Sequence, residues 1–214
     1  MKLKLSGGFV KIIIWSFLLS LAYAIVRYHV FKGIDWSLLP LYTLNKSISI
    51  TALLLIAISY SISSTSTVVL EVNERKVLQK KLGMTGFYFA VVHVFLSLLL
   101  SDAKYYPNLF YGDSLLTTEL VLVYSTGFAS IIILTVLWLA GQSIHSTFMG
   151  IHWSKLRNWG YWALLLTALH VIIHGSNKWL SPSQWPGYMP PLTLISFVIA
   201  MVPLVKRMTK ALKN

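Results

Sequence analysis

Cysteine is absent from this chain, and acidic residues are scarce, with 6 Asp and Glu against 18 Lys and Arg. Without cysteine the chain cannot form disulfides, thiolate zinc sites, cysteine-ligated iron–sulfur clusters or a covalently attached c-type haem. Any bound metal would therefore rest mainly on His, Met, Tyr or carboxylate ligands. A glycine-rich phosphate-binding fingerprint after a strand is also missing, so the chain cannot use NAD(P)H unaided.

Apolar residues dominate what is present. They make up 56% of the 214 residues, charged residues make up 11%, and the mean hydropathy is +0.70. Soluble domains rarely have this composition, which indicates an integral membrane protein. The net charge of +12 then indicates orientation and contact with anionic lipid, and no nucleic acid partner is expected.

Six apolar segments predict the fold class, an all-α integral membrane protein with a six-transmembrane-helix bundle in a single domain over residues 1–214. A spanning helix needs about 20 residues, because ~30 Å of hydrocarbon is crossed at 1.5 Å per residue. No strand-like alternation competes with these segments. They cover residues 9–31, 46–65, 82–101, 117–141, 158–175 and 191–205.

The N-terminal segment fits two interpretations. Its basic start, its apolar run and the Ala22-Tyr23-Ala24 triplet resemble a cleavable signal peptide. An uncleaved first span is favoured, because the apolar run continues past Ala24.

The distribution of basic residues predicts the orientation. With the N-terminus in the cytoplasm, 13 Lys and Arg residues fall on the inner side and 5 on the outer side. This asymmetry predicts that both termini are cytoplasmic. The aromatic outer loops, 105–113 and 179–191, are explained by interfacial belts. The outer basic residues are Arg27, Lys32, Lys46, Lys104 and Lys178.

Three of the six histidines, His93, His170 and His174, lie within predicted spans. His93 follows Leu82 by 11 residues, and His170 follows Trp159 by 11 residues. Both helices run outwards, so both imidazoles are expected ~16 Å from the inner edge. Two histidines at matched depth can ligate one iron from opposite sides. The other three are expected at exposed or interfacial positions without a ligand role, His29 at the outer end of the first span and His145 and His152 in the inner loop before Trp153.

Small residues accompany the histidines at helical spacing. They leave room for a flat macrocycle, or they serve close helix packing with a histidine–serine hydrogen bond. They are Gly86, Ala90 and Ser97 beside His93, Ala163 and Thr167 beside His170, and Ser125, Thr126, Gly127, Ala129 and Ser130 in the fourth segment.

Two stretches resemble a known family. KKLGMTGFYFAVVH (80–93) and WSKLRNWGYWALLLTALH (153–170) resemble the third and fifth spans of the ferric-reductase-like transmembrane domains. The resemblance is closest to the haem-binding membrane subunit of the bacterial periplasmic methionine sulfoxide reductase system, and it covers about residues 46–178. It implies that His93 and His170 are axial ligands of a haem b. It implies that His174 is an outer-edge neighbour or alternative ligand, and that the protein lies in the bacterial inner membrane.

One departure from the family concerns Arg157. Family members usually carry a further histidine there, and two-haem relatives need a second ligand pair near Gln79 and Arg157. One haem b is therefore expected. Arg157 could instead pair with a haem propionate, a flavin phosphate or anionic lipid, or act as a positive-inside anchor.

The function implied is an electron-transfer subunit rather than a self-sufficient enzyme. Electrons would come from quinol or a separate flavin reductase, with a flavin or quinone site on the inner side. They would reach an outer acceptor, for which a periplasmic methionine sulfoxide reductase is one candidate. The first alternative is a ferric or cupric metalloreductase membrane domain.

An alternative of another class is a cofactor-free transporter or assembly subunit. It is disfavoured because the predicted spans contain no Asp or Glu apart from Glu119. The inner basic residues could dock an anionic donor or hold lipid headgroups. They include Arg75, Lys76, Lys80, Lys81, Lys155 and Arg157.

Overall fold

The computed structural model describes residues 2–64, 72–102, 104–106, 110–111, 115–142 and 156–212, which form six α-helices. Each helix contains most or all of one predicted apolar segment, so the helical assignments are confirmed. The helices are α1 Lys2–Ile25, α2 Leu44–Ser64, α3 Val72–Leu99, α4 Thr118–Ala140, α5 Trp159–Gly175 and α6 Leu192–Ala211.

Shorter elements connect the helices. A π-helical stretch, Val26–Phe31, prolongs α1, and a second one, Leu39–Thr43, leads into α2. Within the described residues, the departure from an all-helical fold is one antiparallel pair of two-residue strands. These are β1 Phe110–Tyr111 and β2 Leu115–Leu116, which lie between α3 and α4.

Five stretches of the described residues are long and apolar enough to cross a membrane. They are Gly8–Phe31, Trp36–Ile62, Glu74–Leu99, Thr118–Ala140 and Pro186–Ala211. Helix α5 has 17 residues, or ~26 Å, a few ångströms less than a typical hydrocarbon core. Apolar side chains on the outward helix faces are more than half exposed, as expected for contact with lipid. Examples are Trp15, Leu19, Phe95, Ile132 and Trp162.

Five helices form a ring. Helix α2 packs against α3 and α6, α5 packs against α4 and α6, and α3 contacts α4. Helix α1 packs mainly on the outside of α2. The last residues of α3 and α5 and the first residues of α2, α4 and α6 line one cavity. We call this end of the bundle the outer end, because the basic residues predict that it faces away from the cytoplasm.

Side chains fill the inner half of the ring. Tyr60 and Tyr161 meet edge to face with ring centroids 5.0 Å apart. The Tyr60 hydroxyl donates a hydrogen bond to the Arg157 carbonyl at 3.3 Å. A side chain at Gly160 would overlap the Tyr60 hydroxyl, so glycine is needed for this contact. The surrounding buried cluster comprises Leu53, Ile56, Tyr60, Leu164, Ala168 and Ala200.

Candidate functional site

A cavity of about 630 Å³ occupies the outer half of the ring and extends to the outer loops. Its volume is in the range of small-molecule and cofactor sites. The lining residues lie at positions 45–56 of α2, 90–98 of α3, 119–134 of α4 and 167–175 of α5. Leu53 and Ile56 of the buried cluster line its inner end, whereas Tyr60 and Tyr161 do not line it.

The three histidines predicted within spans all line this cavity. His93 lies six residues before the end of α3, and His170 lies five residues before the end of α5. Both are thus ~8–9 Å from the outer helix ends. Measured from the outer helix ends, the two histidines lie at nearly the same depth. Measured from the inner ends they do not, because α3 begins at Val72, ten residues before the predicted span. The structure therefore brings His93 and His170 to one cavity from two helices that are not neighbours in the ring.

A polar network orients the imidazole of His93. Its Nδ1–H donates a hydrogen bond to Asn45 Oδ1 at 2.8 Å. Asn45 Nδ2 in turn donates to Ser97 Oγ at 3.0 Å. Because Nδ1 carries the proton, the lone pair of the neutral ring is on Nε2.

A backbone carbonyl orients His170. The Nδ1–H of His170 donates a hydrogen bond to the carbonyl of Val123 on α4 at 2.9 Å. A Cβ atom at Gly127 would lie only 3.2 Å from this nitrogen. Glycine at position 127 therefore lets the ring approach the α4 backbone, and the lone pair is again on Nε2.

These two rings have the arrangement of metal-binding imidazoles, which usually donate their second ring N–H to a carbonyl or carboxylate. Within the described part of the chain, neither Nε2 atom has a hydrogen-bond partner. The same part of the chain contains no group of three or more His, Asp or Glu residues that could hold a metal ion. A haem iron needs only two axial ligands, because the porphyrin supplies four nitrogens. The residues and the cavity volume therefore fit a haem.

His174 differs from the other two histidines. It lines the cavity one turn outwards from His170, and its ring meets Tyr106 edge to face at 5.9 Å. Its Nδ1 atom is buried without a hydrogen-bond partner. The carbonyl contact that fixes the tautomer of His170 is thus missing, which favours His170 as the ligand.

Arg157 lies away from the histidines. It does not line the cavity, and it precedes His170 by 13 residues, which corresponds to ~20 Å towards the inner end. Its role in cofactor binding stays a prediction. His145, His152 and Lys155 lie outside the described residues.

The structure decides two points that the sequence left open. His29 is buried rather than exposed, with its Nδ1 2.9 Å from the Ile34 carbonyl and its Nε2 2.8 Å from Thr43 Oγ1. It holds the connection between α1 and α2. Gly86 faces α2 rather than the cavity, since a Cβ there would lie 2.7 Å from Ile56 Cγ1. Helix packing therefore explains Gly86.

The sequence analysis missed Asn45 and the burial of Lys46. Lys46 lies at the outer end, as predicted, in the first turn of α2, where it is half-buried and lines the cavity. The sequence contains one signal that could have indicated both residues, a row of polar residues beside Asn45 and Lys46. Thr43, Ser47 and Thr51 recur every four residues and are fully buried. Polar residues along one face of an apolar segment indicate a functional interior.

The site is thus a cavity lined by two oriented histidines in a bundle of long apolar helices, and known proteins are similar to part of this chain. Metalloreductase STEAP2 from mouse is 28% identical over 148 residues, which cover 61% of this chain and 30% of the relative. Human Metalloreductase STEAP2 is 26% identical over 164 residues, which cover 64% of this chain and 33% of the relative. The chain therefore spans about a third of the length of these curated relatives. No protein-family model matches the chain.

This weak homology agrees with the ferric-reductase-like part of the resemblance. It relates the chain to the membrane part of a metalloreductase. The closer resemblance to the methionine sulfoxide reductase subunit stays a prediction.

Proposed function

We propose that this chain is a haem b membrane domain that passes electrons from an inner donor to an acceptor at the outer end. The observation that carries the proposal is the pair His93 and His170, whose Nδ1–H groups are both engaged while both rings line one cavity. In this proposal the bundle has six spans, with both termini in the cytoplasm. When bound, haem would supply a one-electron ferric/ferrous couple.

The protein's own contribution is orientation and exclusion of water. Asn45 and the Val123 carbonyl hold the two imidazoles in the tautomer that can bind iron. If His93 and His170 both held the iron, they would leave it no open position, which would suit electron transfer rather than oxygen binding. The filled inner half supports a single haem per chain.

The favoured acceptor is a metal ion or metal complex. The likeness to metalloreductases supports this choice, and the cavity reaches the outer loops, where such a complex could approach the cofactor. A periplasmic methionine sulfoxide reductase remains the second candidate, supported by the two histidine segments. The donor is quinol or a separate flavin reductase, with a flavin or quinone on the inner side. The location is the bacterial inner membrane.

Absorption spectra of the purified protein test the site. The wild-type protein should show the Soret band and sharp reduced α and β bands of a low-spin haem b. We expect that His93→Ala and His170→Ala each abolish this spectrum, because each removes an axial ligand. His174→Ala removes an imidazole from the same helix face but no axial ligand of this proposal, so the bound haem should stay low-spin.

The opposite pattern, with the spectrum kept in His170→Ala and lost in His174→Ala, would overturn the assignment. A colourless wild-type preparation from haem-replete cells would overturn the function. Adding acceptors to the reduced protein separates the candidates. Fast reoxidation by a ferric chelate supports the metalloreductase, and fast reoxidation only by a periplasmic methionine sulfoxide reductase supports the second candidate.

A further inference from the structure

Three nitrogen-bearing side chains lie in the outer part of the cavity, on three different elements. Arg27 belongs to the π-helical end of α1, Lys46 to α2 and His174 to α5, and all three line the cavity. Arg27 Nε and His174 Nδ1 are buried without a hydrogen-bond partner. Across the described ranges, no ion pair to the Lys46 ammonium is found. Arg27 Nη1 donates a hydrogen bond to the Met189 carbonyl, so the nitrogens left without a partner are Arg27 Nε and His174 Nδ1. Buried polar nitrogens without a partner are costly, which indicates that this end of the cavity holds a group that can accept their hydrogen bonds.

Three tyrosine rings hold the Lys46 ammonium in place. Its Nζ atom lies 4.3 Å from the ring centroid of Tyr42, 5.2 Å from Tyr28 and 5.4 Å from Tyr106. The Tyr106 ring also contacts His174, at 5.9 Å between centroids. Lys46 and His174 therefore lie against the same ring. Cation–π contacts keep the ammonium charged in an apolar setting. The ammonium also hydrogen-bonds the Tyr42 side chain, and its other N–H groups remain for an anion.

The surrounding charge is mainly positive. Lys32 and Lys178 also line the cavity, and Glu119 is the acidic residue among the lining residues. Partial burial, followed by the charges of Lys46, Lys178 and Arg27, holds the pKa of Lys32 below its ordinary value. A site with several cations and one carboxylate attracts an anion.

We propose that Lys46 and His174, assisted by Arg27, bind the carboxylates of the cofactor, so that the propionate edge of haem faces the outer end. This inference rests on the proposed function. The macrocycle is apolar except for its two propionates at one edge. This matches a cavity whose basic side chains, the possible hydrogen-bond donors to a carboxylate, lie at one end. The inference also removes the need for Arg157 to serve as a propionate partner, because Arg157 lies near the opposite end.

The test compares natural haem with haem dimethyl ester, which lacks both carboxylates. Each form is bound to wild-type protein and to Lys46→Met, and its release to excess apomyoglobin is timed. We expect Lys46→Met to release natural haem roughly ten- to a hundredfold faster, the factor that a charge-assisted hydrogen bond corresponds to. The dimethyl ester should leave both proteins at equal rates. His174→Leu provides a second variant with the same expected pattern, and Lys46→Arg should restore slow release.

Lys104→Met is the matched control. Lys104 is an exposed outer lysine over the ring of Tyr105, and it does not line the cavity. Its removal should leave both release rates unchanged. Equal acceleration of both haem forms in Lys46→Met would show that Lys46 acts through packing and would overturn the inference.

Unchanged release of natural haem from both variants would also overturn it. If citrate binding to the wild type were then lost in Lys46→Met, the site would serve an anion that enters from outside. If the wild-type protein binds natural haem through His93 and His170 but the rate of haem release does not depend on Lys46, this inference is wrong and the proposed function is unaffected. A wild-type protein that binds neither haem form overturns both proposals.

Discussion

Asn45 decides which nitrogen of His93 is available to a metal. Its side-chain oxygen accepts the Nδ1–H bond, and it is 1% exposed, so water cannot replace it. We expect Asn45→Leu to weaken haem binding about 10- to 100-fold, as is typical for loss of a partner of a metal-binding histidine. The rate of haem transfer to apomyoglobin measures this effect.

Ser97→Ala is the control for that prediction. Ser97 Oγ is 3.4 Å from His93 Nδ1 and accepts from Asn45, but it is not the main acceptor of the imidazole. Its removal should change haem release much less than Asn45→Leu does. Equal effects of the two substitutions would show that the whole network, rather than the Asn45 oxygen, holds the ring.

The sequence predicted the histidines of the site but not the groups that orient them. His93 and His170 stand out because imidazoles are rare in apolar segments. Each also lies 11 residues after the inner start of its segment, at Leu82 and at Trp159. The partner of His170 is the carbonyl of Val123, and a backbone carbonyl has no sequence signature. Lys46 was counted only as one of the outer basic residues, since only the folded chain shows that three tyrosines surround it.

At the scale of elements, Gly86 determines how closely α2 and α3 approach. A Cβ atom at this position would lie 2.7 Å from Ile56 Cγ1 and 3.0 Å from the Ala52 carbonyl oxygen. We expect Gly86→Ala to destabilise the protein by about 1–3 kcal/mol, the usual cost of overpacking, because a backbone atom cannot move aside cheaply. Thermal unfolding in detergent, followed by circular dichroism, measures the change.

Gly83→Ala, one turn earlier on α3, is the matched substitution. Its Cβ would lie 3.2 Å from Ser59 Oγ, a side-chain atom that can move by a few tenths of an ångström. Both changes gain the same helix propensity, up to about 1 kcal/mol, so their difference isolates the contact with α2. If Gly83→Ala destabilised the protein as much as Gly86→Ala, close approach would not be specific to Gly86.

Helix positions followed closely from the apolar segments, whereas the connections did not. Helix α3 begins ten residues before the predicted span. The prediction missed this start because residues 72–81 are mostly polar and charged, and hydropathy alone does not mark them as helical. The burial of His29 depends on Ile34 and Thr43, which reach it only through the geometry of the α1–α2 connection. Periodicity carries no information about such a connection.

For the whole molecule, the packing of the inner half predicts one haem per chain. Among the described residues, Tyr60, Tyr161 and Leu164 pack on the inner side of the cavity, and a second macrocycle at that level would displace them. A pyridine haemochrome assay combined with quantitative amino-acid analysis should give one haem per polypeptide. Tyr60→Phe, which keeps the ring, should leave that ratio at one. A ratio of two would show that the inner half opens, and would contradict the single-haem proposal.

The position of His93 near the outer end of α3 also sets the distances over which a bound haem would exchange electrons with the two sides. His93 is six residues from the outer end of α3 and 11 residues from Leu82, where the apolar segment begins. At 1.5 Å per residue these distances are ~9 Å and ~16 Å. Because tunnelling rates fall exponentially with distance, a haem held by His93 would exchange electrons faster with the outer side than with the inner side. A donor that dissolves in the bilayer and approaches the bundle from the side would shorten the longer distance, whereas a donor at the aqueous inner surface would not.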